Sequence, residues 1–145
     1  MTSDRAIRIS TFLFGLVFTA IVALGYLPGI NAPVHQHHAG SEPGEHMLLG
    51  LYTISLLDDV THGLTALVLL ICAAMSARAC RAALTFFGSY YAMDAAIYLI
   101  TGILRGDPLA SNIKLNLPHV VFSTVMLTLA WRGRTNAPKV RVATA

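Results

Sequence analysis

Four long apolar stretches run through this chain, and no other feature restricts its fold so severely. They extend from Ile7 to Leu27, Leu48 to Met75, Ala82 to Leu104 and Leu115 to Trp131. Each approaches the roughly 20 helical residues needed to cross about 30 Å of hydrocarbon. Inside a bilayer no water pairs with backbone groups, so segments of this kind are expected as helices. Composition agrees: the 145 residues are 55% hydrophobic and only 12% charged, against about a quarter charged in an ordinary soluble domain. The expectation is an all-α polytopic membrane protein with one transmembrane domain over residues 1–145. Helices are placed at about 7–27, 48–75, 82–104 and 115–131, and no length remains for a soluble domain.

Arg5 and Arg8 ahead of the first span imitate a secretory signal. The apolar run is too long for such a signal, and the region around Asn31 and Ala32 is followed by Pro33 and lacks small-x-small spacing. The first span is therefore expected to remain as a membrane helix.

Orientation follows from Lys and Arg, which concentrate on the cytoplasmic side of bacterial membrane proteins. Arg5 and Arg8 precede the first helix, Arg78 and Arg81 lie between the second and third, and Arg132, Arg134, Lys139 and Arg141 follow the fourth. The segment 28–47 has no Lys or Arg, while 105–114 carries Arg105 and Lys114 against Asp107. Both termini are expected in the cytoplasm of a bacterium, with 28–47 as an outer loop and 132–145 as a basic cytoplasmic tail. The net charge of +3 then reflects topology and contact with anionic lipid, at about 1 kcal/mol per cation near the surface, and not nucleic-acid binding. Cys72 and Cys80 fall toward the reducing side and are expected as free thiols.

Two histidines occupy corresponding places in two spans, His62 in LLDDVTHGLTALVLL and His119 in LNLPHVVFSTVMLTLA. Asp58 and Asp59 precede His62 by four and three positions, so both can share its helix face. Asp94, in SYYAMDAAIYL, adds a carboxylate flanked by Tyr90, Tyr91 and Tyr98. Ionisable groups in hydrocarbon are costly unless paired, wet or metal-bound, which makes this cluster the candidate site. Asp58, Asp59, His62, Asp94 and His119 are expected to face inward as one polar network.

An internal repeat organises these positions. FGLVFTAIVALGYLPG from Phe14 aligns without gaps with FGSYYAMDAAIYLITG from Phe87, His62 matches His119, and Asp59 matches Asn116. Two helices per half give the halves the same orientation, related by an axis along the membrane normal. The bundle is thus expected as two similar antiparallel hairpins. Pro118 is expected in the first turn of a fourth helix capped by Asn116, where its missing N–H costs nothing; the alternative is an earlier start with Pro118 kinking the helix.

The chemistry stays open at this level. Two His and three Asp supply enough N and O ligands for Zn, Mn or non-haem Fe, yet no HExxH, Glu-x-x-His or CxxC is present. Bis-histidine haem ligation by His62 and His119 is a weaker option. Interhelical hydrogen bonding that merely holds the bundle together is the bland alternative. The loop VHQHHAGSEPGEHM brings His35, His37, His38 and His46 beside Glu42 and Glu45, a tract able to chelate Cu, Zn or Ni or to serve only as a polar linker.

The segments LGYLPGI, LLGLYTISLLDDVTHGLTALVLL, FGSYYAMDAAIYLITGIL and LNLPHVVFSTVMLTL together resemble a widespread bacterial and archaeal family of small four-helix membrane proteins, catalogued as a domain of unknown function. The likeness covers about Phe14 to Ala130 and rests on His62-Gly63, His119 and the glycines ending the first and third spans. The chain departs from the pattern in the doubled Asp58-Asp59 and in Val120 after the second histidine. The resemblance implies a fold and a membrane address and brings no activity. The expected function is binding of a metal ion (Zn, Cu, Mn or Fe) or small ligand, or service as an accessory subunit of a larger membrane complex or homo-oligomer. An intramembrane metalloenzyme or haem redox subunit using His62 and His119 is the alternative.

Overall fold

The computed structural model describes residues 4–27, 31–33, 45–48 and 52–134. Its elements are helix α1 (Asp4–Gly25), strands β1 (Asn31–Pro33), β2 (His46–Leu48) and β3 (Tyr52–Ile54), and helices α2 (Leu56–Met75), α3 (Ala77–Arg105) and α4 (Leu109–Arg134). All four helices are long and apolar enough to cross a membrane, and the chain is an all-α, four-helix membrane protein.

The bundle is apolar outside, and inside it mixes small and polar residues with a few large ones such as Phe18, Leu69 and Tyr91. Leu13, Leu64, Ile71, Phe86, Ile100 and Leu104 are exposed, whereas Thr11, Thr65, Ala66, Ala73, Ala83 and Ser123 are buried. Lipid solvates the large side chains, so helices gain by close approach through small residues. α1 packs chiefly on α2 and α3 chiefly on α4, giving two antiparallel hairpins. Both hairpins approach through a glycine. A Cβ on Gly15 would lie 2.7 Å from Leu70 Cγ, and a Cβ on Gly88 would lie 2.9 Å from Leu127 Cγ. In the register of the repeat Gly15 matches Gly88, and Leu70 matches Leu127 just as His62 matches His119. Matched pairs are also buried alike: Phe18 and Tyr91, Leu69 and Met126, Ala73 and Ala130.

Several boundaries differ from the sequence expectation. The second helix starts at Leu56 and not Leu48, because Ser55 and Asp58 form a reciprocal capping box and the preceding Tyr52-Thr53-Ile54 are strand formers. Residues 48 and 52–54 instead join a three-stranded antiparallel sheet of order β1-β2-β3, with Asn31 opposite Leu48 and His46 opposite Ile54. The third helix begins at Ala77, since Ser76 both ends α2 and caps α3 by accepting from the Ala79 N–H. Cys80 therefore lies on a helix, buried, and not in a loop; both cysteines are free. α3 ends at Gly106, whose φ of 80° provides the left-handed cap that other residues adopt at a cost.

The fourth helix overturns the capped start at Leu117. α4 begins at Leu109, and Pro118 is interior. The reason is that Asn116 is not a cap: its side-chain N–H donates to the Asn112 carbonyl and Oδ1 one turn earlier, and Asn112 donates across to the Leu99 carbonyl of α3. This anchoring holds the extra turns even though Pro118 supplies no N–H to the carbonyl of Lys114.

At one end of the bundle, the basic end, Arg5, Arg8, Arg78, Arg81 and Arg132 gather where α1 and α3 begin and α2 and α4 finish. Arg8 donates to the carbonyls of Ala73 and Ala74 at 2.9 and 3.1 Å, capping the negative end of α2. Arg81 pairs with Asp4 at 3.3 Å. The sheet and the candidate site lie toward the opposite, sheet end. Lys139 and Arg141 lie outside the described residues.

Candidate functional site

The capping box fixes where α2 begins and so sets the depth of the site. His62 lies about two turns inside that end, near 9 Å along the axis, and His119 about 15 Å from the start of α4. His62 is 8% exposed. Its ring stacks on Phe18 at 5.6 Å and Tyr91 at 6.0 Å, and is tilted against His119 with centroids 6.4 Å apart. Its Nδ1 is buried without a hydrogen-bond partner. Phe18 and Tyr91 themselves stack at 5.3 Å, and Phe122 closes the group at 5.4 Å from Phe18. An aromatic stack drawn from all four helices thus holds the two imidazoles.

His119 has what His62 lacks. Its Nδ1 lies 2.9 Å from Asp94 Oδ2, a close polar pairing that is poorly aligned as a hydrogen bond. The repeat register places Ile21 of α1 where Asp94 stands in α3, so the α1–α2 half has an apolar side chain at the position from which the α3–α4 half presents a carboxylate to its imidazole.

The remaining acidic residues take local partners. Asp58 Oδ2 accepts from the Ser55 backbone N–H at 2.9 Å and from Ser55 Oγ at 2.7 Å. Asp59, 5% exposed, accepts from Tyr26 Oη at 2.8 Å. That bond ties the end of α1 to the first turns of α2, and it holds the Tyr26 phenol above its ordinary pKa, because ionising the phenol would lose the bond it donates and set a second negative charge beside Asp59. Tyr91 does not serve Asp94; its hydroxyl shares a hydrogen bond with Thr65 Oγ1 at 3.0 Å. The five residues expected to form one network are therefore brought to one end of the bundle but joined differently: His62, His119 and Asp94 adjoin one another, while Asp58 and Asp59 are committed to Ser55 and Tyr26.

Above the imidazoles opens a cavity of about 630 Å³, within the range of small-molecule sites. Asp58, His62 and His119 line it together with Tyr98, Asn112 and Asn116, and Ile21, Leu48, Ile54, Leu115 and Phe122 supply apolar wall. Arg105 and Asp107 stand at the exposed rim, 3.9 Å apart. Among the described residues no three His, Cys, Asp or Glu side chains gather as a metal-ligand set. His35, His37, His38 and Glu42 lie outside the described residues, and His46 enters only through its backbone in β2.

Phe18, Phe122 and Asn112 were not among the residues singled out from sequence. Phe18 carried a signal, since it aligns with Tyr91 in the repeat; the others looked like ordinary lipid-facing or loop residues.

The family model described as Domain of unknown function (DUF4383) matches residues 8–132. The chain belongs to the DUF4383 family. The matched span takes in every described residue that lines the cavity. No curated protein and no solved structure matches the chain.

Proposed function

We propose that this DUF4383 protein binds a small amphiphilic ligand in the cavity at the sheet end, with the ligand's polar head at His62 and His119 and its body along the apolar wall. One observation carries the reading: His62 is almost fully buried, lines an open cavity, and its Nδ1 has no hydrogen-bond partner among the described residues. Groups that serve only to hold a bundle together are paired, because an unsatisfied buried polar atom costs about 1–3 kcal/mol. The aromatic stack fixes the ring without satisfying it, which is the arrangement of a binding group awaiting a partner. With Nδ1 covered, Nε2 is the nitrogen through which His62 meets an occupant.

The Lys and Arg distribution supports a bacterial inner-membrane location with both termini cytoplasmic, which opens the cavity on the outer side. With Cys72 and Cys80 replaced, a cysteine at rim position Ser111 is expected to react with a membrane-impermeant maleimide in intact cells. Reaction only after permeabilisation would reverse this orientation.

Native mass spectrometry of protein purified in mild detergent tests the binding reading. A retained small molecule is expected, and Leu115→Trp, which fills the cavity, should release it while Leu104→Trp on the lipid face should not. Equal retention by both variants, or none by the parent protein, would overturn the proposal.

A further inference from the structure

The two hairpins differ in charge around the imidazoles, and the imbalance says what kind of head the cavity accepts. Among the described residues the sheet end carries Glu45, Asp58, Asp59, Asp94 and Asp107 against Arg105 and Lys114. Arg105 and Asp107 face each other across the rim at 3.9 Å and largely cancel. Lys114 is not on the cavity wall, and neither is Asp94, which stands behind the lining His119 at 2.9 Å. Deeper in, Asp58 is held by the neutral Ser55 and Asp94 is matched only by His119, an imidazole with no permanent charge. Neither carboxylate is within ion-pair distance of a Lys or Arg among the described residues.

We infer that the occupant is a lipophilic organic cation, an amine-bearing amphiphile whose ammonium head meets Asp58, His62 and His119 on the cavity wall, with Asp94 behind His119; this rests on the ligand-binding reading above. Two independent features point the same way. The carboxylates act through a poorly screened medium, where charge interactions at a few ångströms far exceed their value in water. An anionic head would be repelled, a neutral one tolerated and a cation attracted. His62 then supplies the chemistry that charge alone does not. It is nine-tenths buried, faces the cavity without a partner, and as a neutral imidazole offers a lone pair that accepts an ammonium N–H. Phe122 and Tyr98 on the wall add ring faces of the kind that attract cations. Ile21, Leu48 and Leu115 leave room for an alkyl body.

Three probes with one chain and different heads separate the possibilities: n-decylammonium, 1-decanol and decanoate, titrated against the purified protein and read by native mass spectrometry and thermal shift. Decylammonium is expected to bind about tenfold more tightly than decanol, the factor that a modest charge interaction supplies, and decanoate not measurably. Asp94→Asn and Asp58→Asn should each weaken decylammonium about tenfold and leave decanol unchanged. Should Asp58→Asn unsettle the α2 cap, Asp94→Asn reads the same charge from another helix. Equal binding of decanol and decylammonium, or preference for decanoate, would overturn the cation inference and leave the cavity a ligand site. Failure of all three to bind would remove the ligand-binding reading as well.

Discussion

The histidines are alike in position and unlike in partner, and that difference predicts how each tolerates replacement. His62→Phe preserves the stack on Phe18 and Tyr91 and strands no hydrogen-bond partner, so stability should change by less than about 1 kcal/mol, the cost of a shape-conserving exchange. His119→Phe leaves the Asp94 carboxyl without its neighbour and should cost about 1–3 kcal/mol. Denaturant unfolding in detergent micelles measures both; equal costs would show that the pairing with Asp94 has no energetic role. Helical spacing brings Asp58 and Asp59 within reach of His62, but Ser55 and Tyr26 take them instead. Tyr26 makes a separate point. Its phenol is raised above pH 10 by the bond to Asp59, and a group with a raised folded-state pKa stabilises below its unfolded value and loses that contribution as pH climbs through the folded value. The protein should therefore lose stability on going above about pH 10, where an unperturbed tyrosine ionises, with a smaller loss in Tyr26→Phe; identical alkaline profiles would remove the bond from the account.

Helix pairing rests on two glycine contacts. Gly15→Ala brings a methyl within 2.7 Å of Leu70 Cγ and 3.3 Å of the Ala66 carbonyl. Separating α1 from α2 to relieve it should cost about 1–3 kcal/mol, as overpacking generally does. Combining Gly15→Ala with Leu70→Ala should recover part of that loss, measured as a positive coupling in a double-mutant cycle. Strict additivity would mean that the two residues do not meet. The α3–α4 pair has a second lock near the sheet end, where a Cβ on Gly102 would lie 2.6 Å from Asn112 Cγ. Asn112→Leu loses the bond to the Leu99 carbonyl and should cost about 1–3 kcal/mol by the same unfolding assay. This lock, absent from the capped-start reading, accounts for the additional turns of α4 ahead of Pro118.

At the scale of the whole molecule the register of the repeat reappears in packing: Gly15 on Leu70 and Gly88 on Leu127, Phe18 beside His62 and Tyr91 beside His119. An experimental structure is expected to superpose α1 and α2 on α3 and α4 by a rotation close to two-fold about the membrane normal. An in-plane axis, or hairpins that do not superpose, would refute duplication. The symmetry has a consequence for the site. It brings His62 and His119 together near the junction of the halves, while the exchange of Ile21 for Asp94 at matched positions makes the junction unequal.

The four helices, their inward polar residues and the hairpin pairing were legible in the sequence because each depends on local hydropathy and spacing, which lipid reads directly. The start of α2 was not. Leu48 to Ile54 is as apolar as the helix that follows, and only the Ser55–Asp58 box and the pairing of β2 with β1 and β3 divide strand from helix. Nor was the start of α4, since Asn116 makes an acceptable cap in isolation and is claimed by Asn112 only once α3 lies alongside. That Asp58, Asp59, His62, Asp94 and His119 gather toward one end of the bundle was likewise legible, but not their partners. Helical spacing shows that Asp58 and Asp59 can reach His62; whether they do depends on Ser55, and on Tyr26 arriving from another helix. Depth and facing are one-dimensional properties that a sequence carries, whereas the choice among competing partners is made by the distances between helices, and those exist only in the folded bundle.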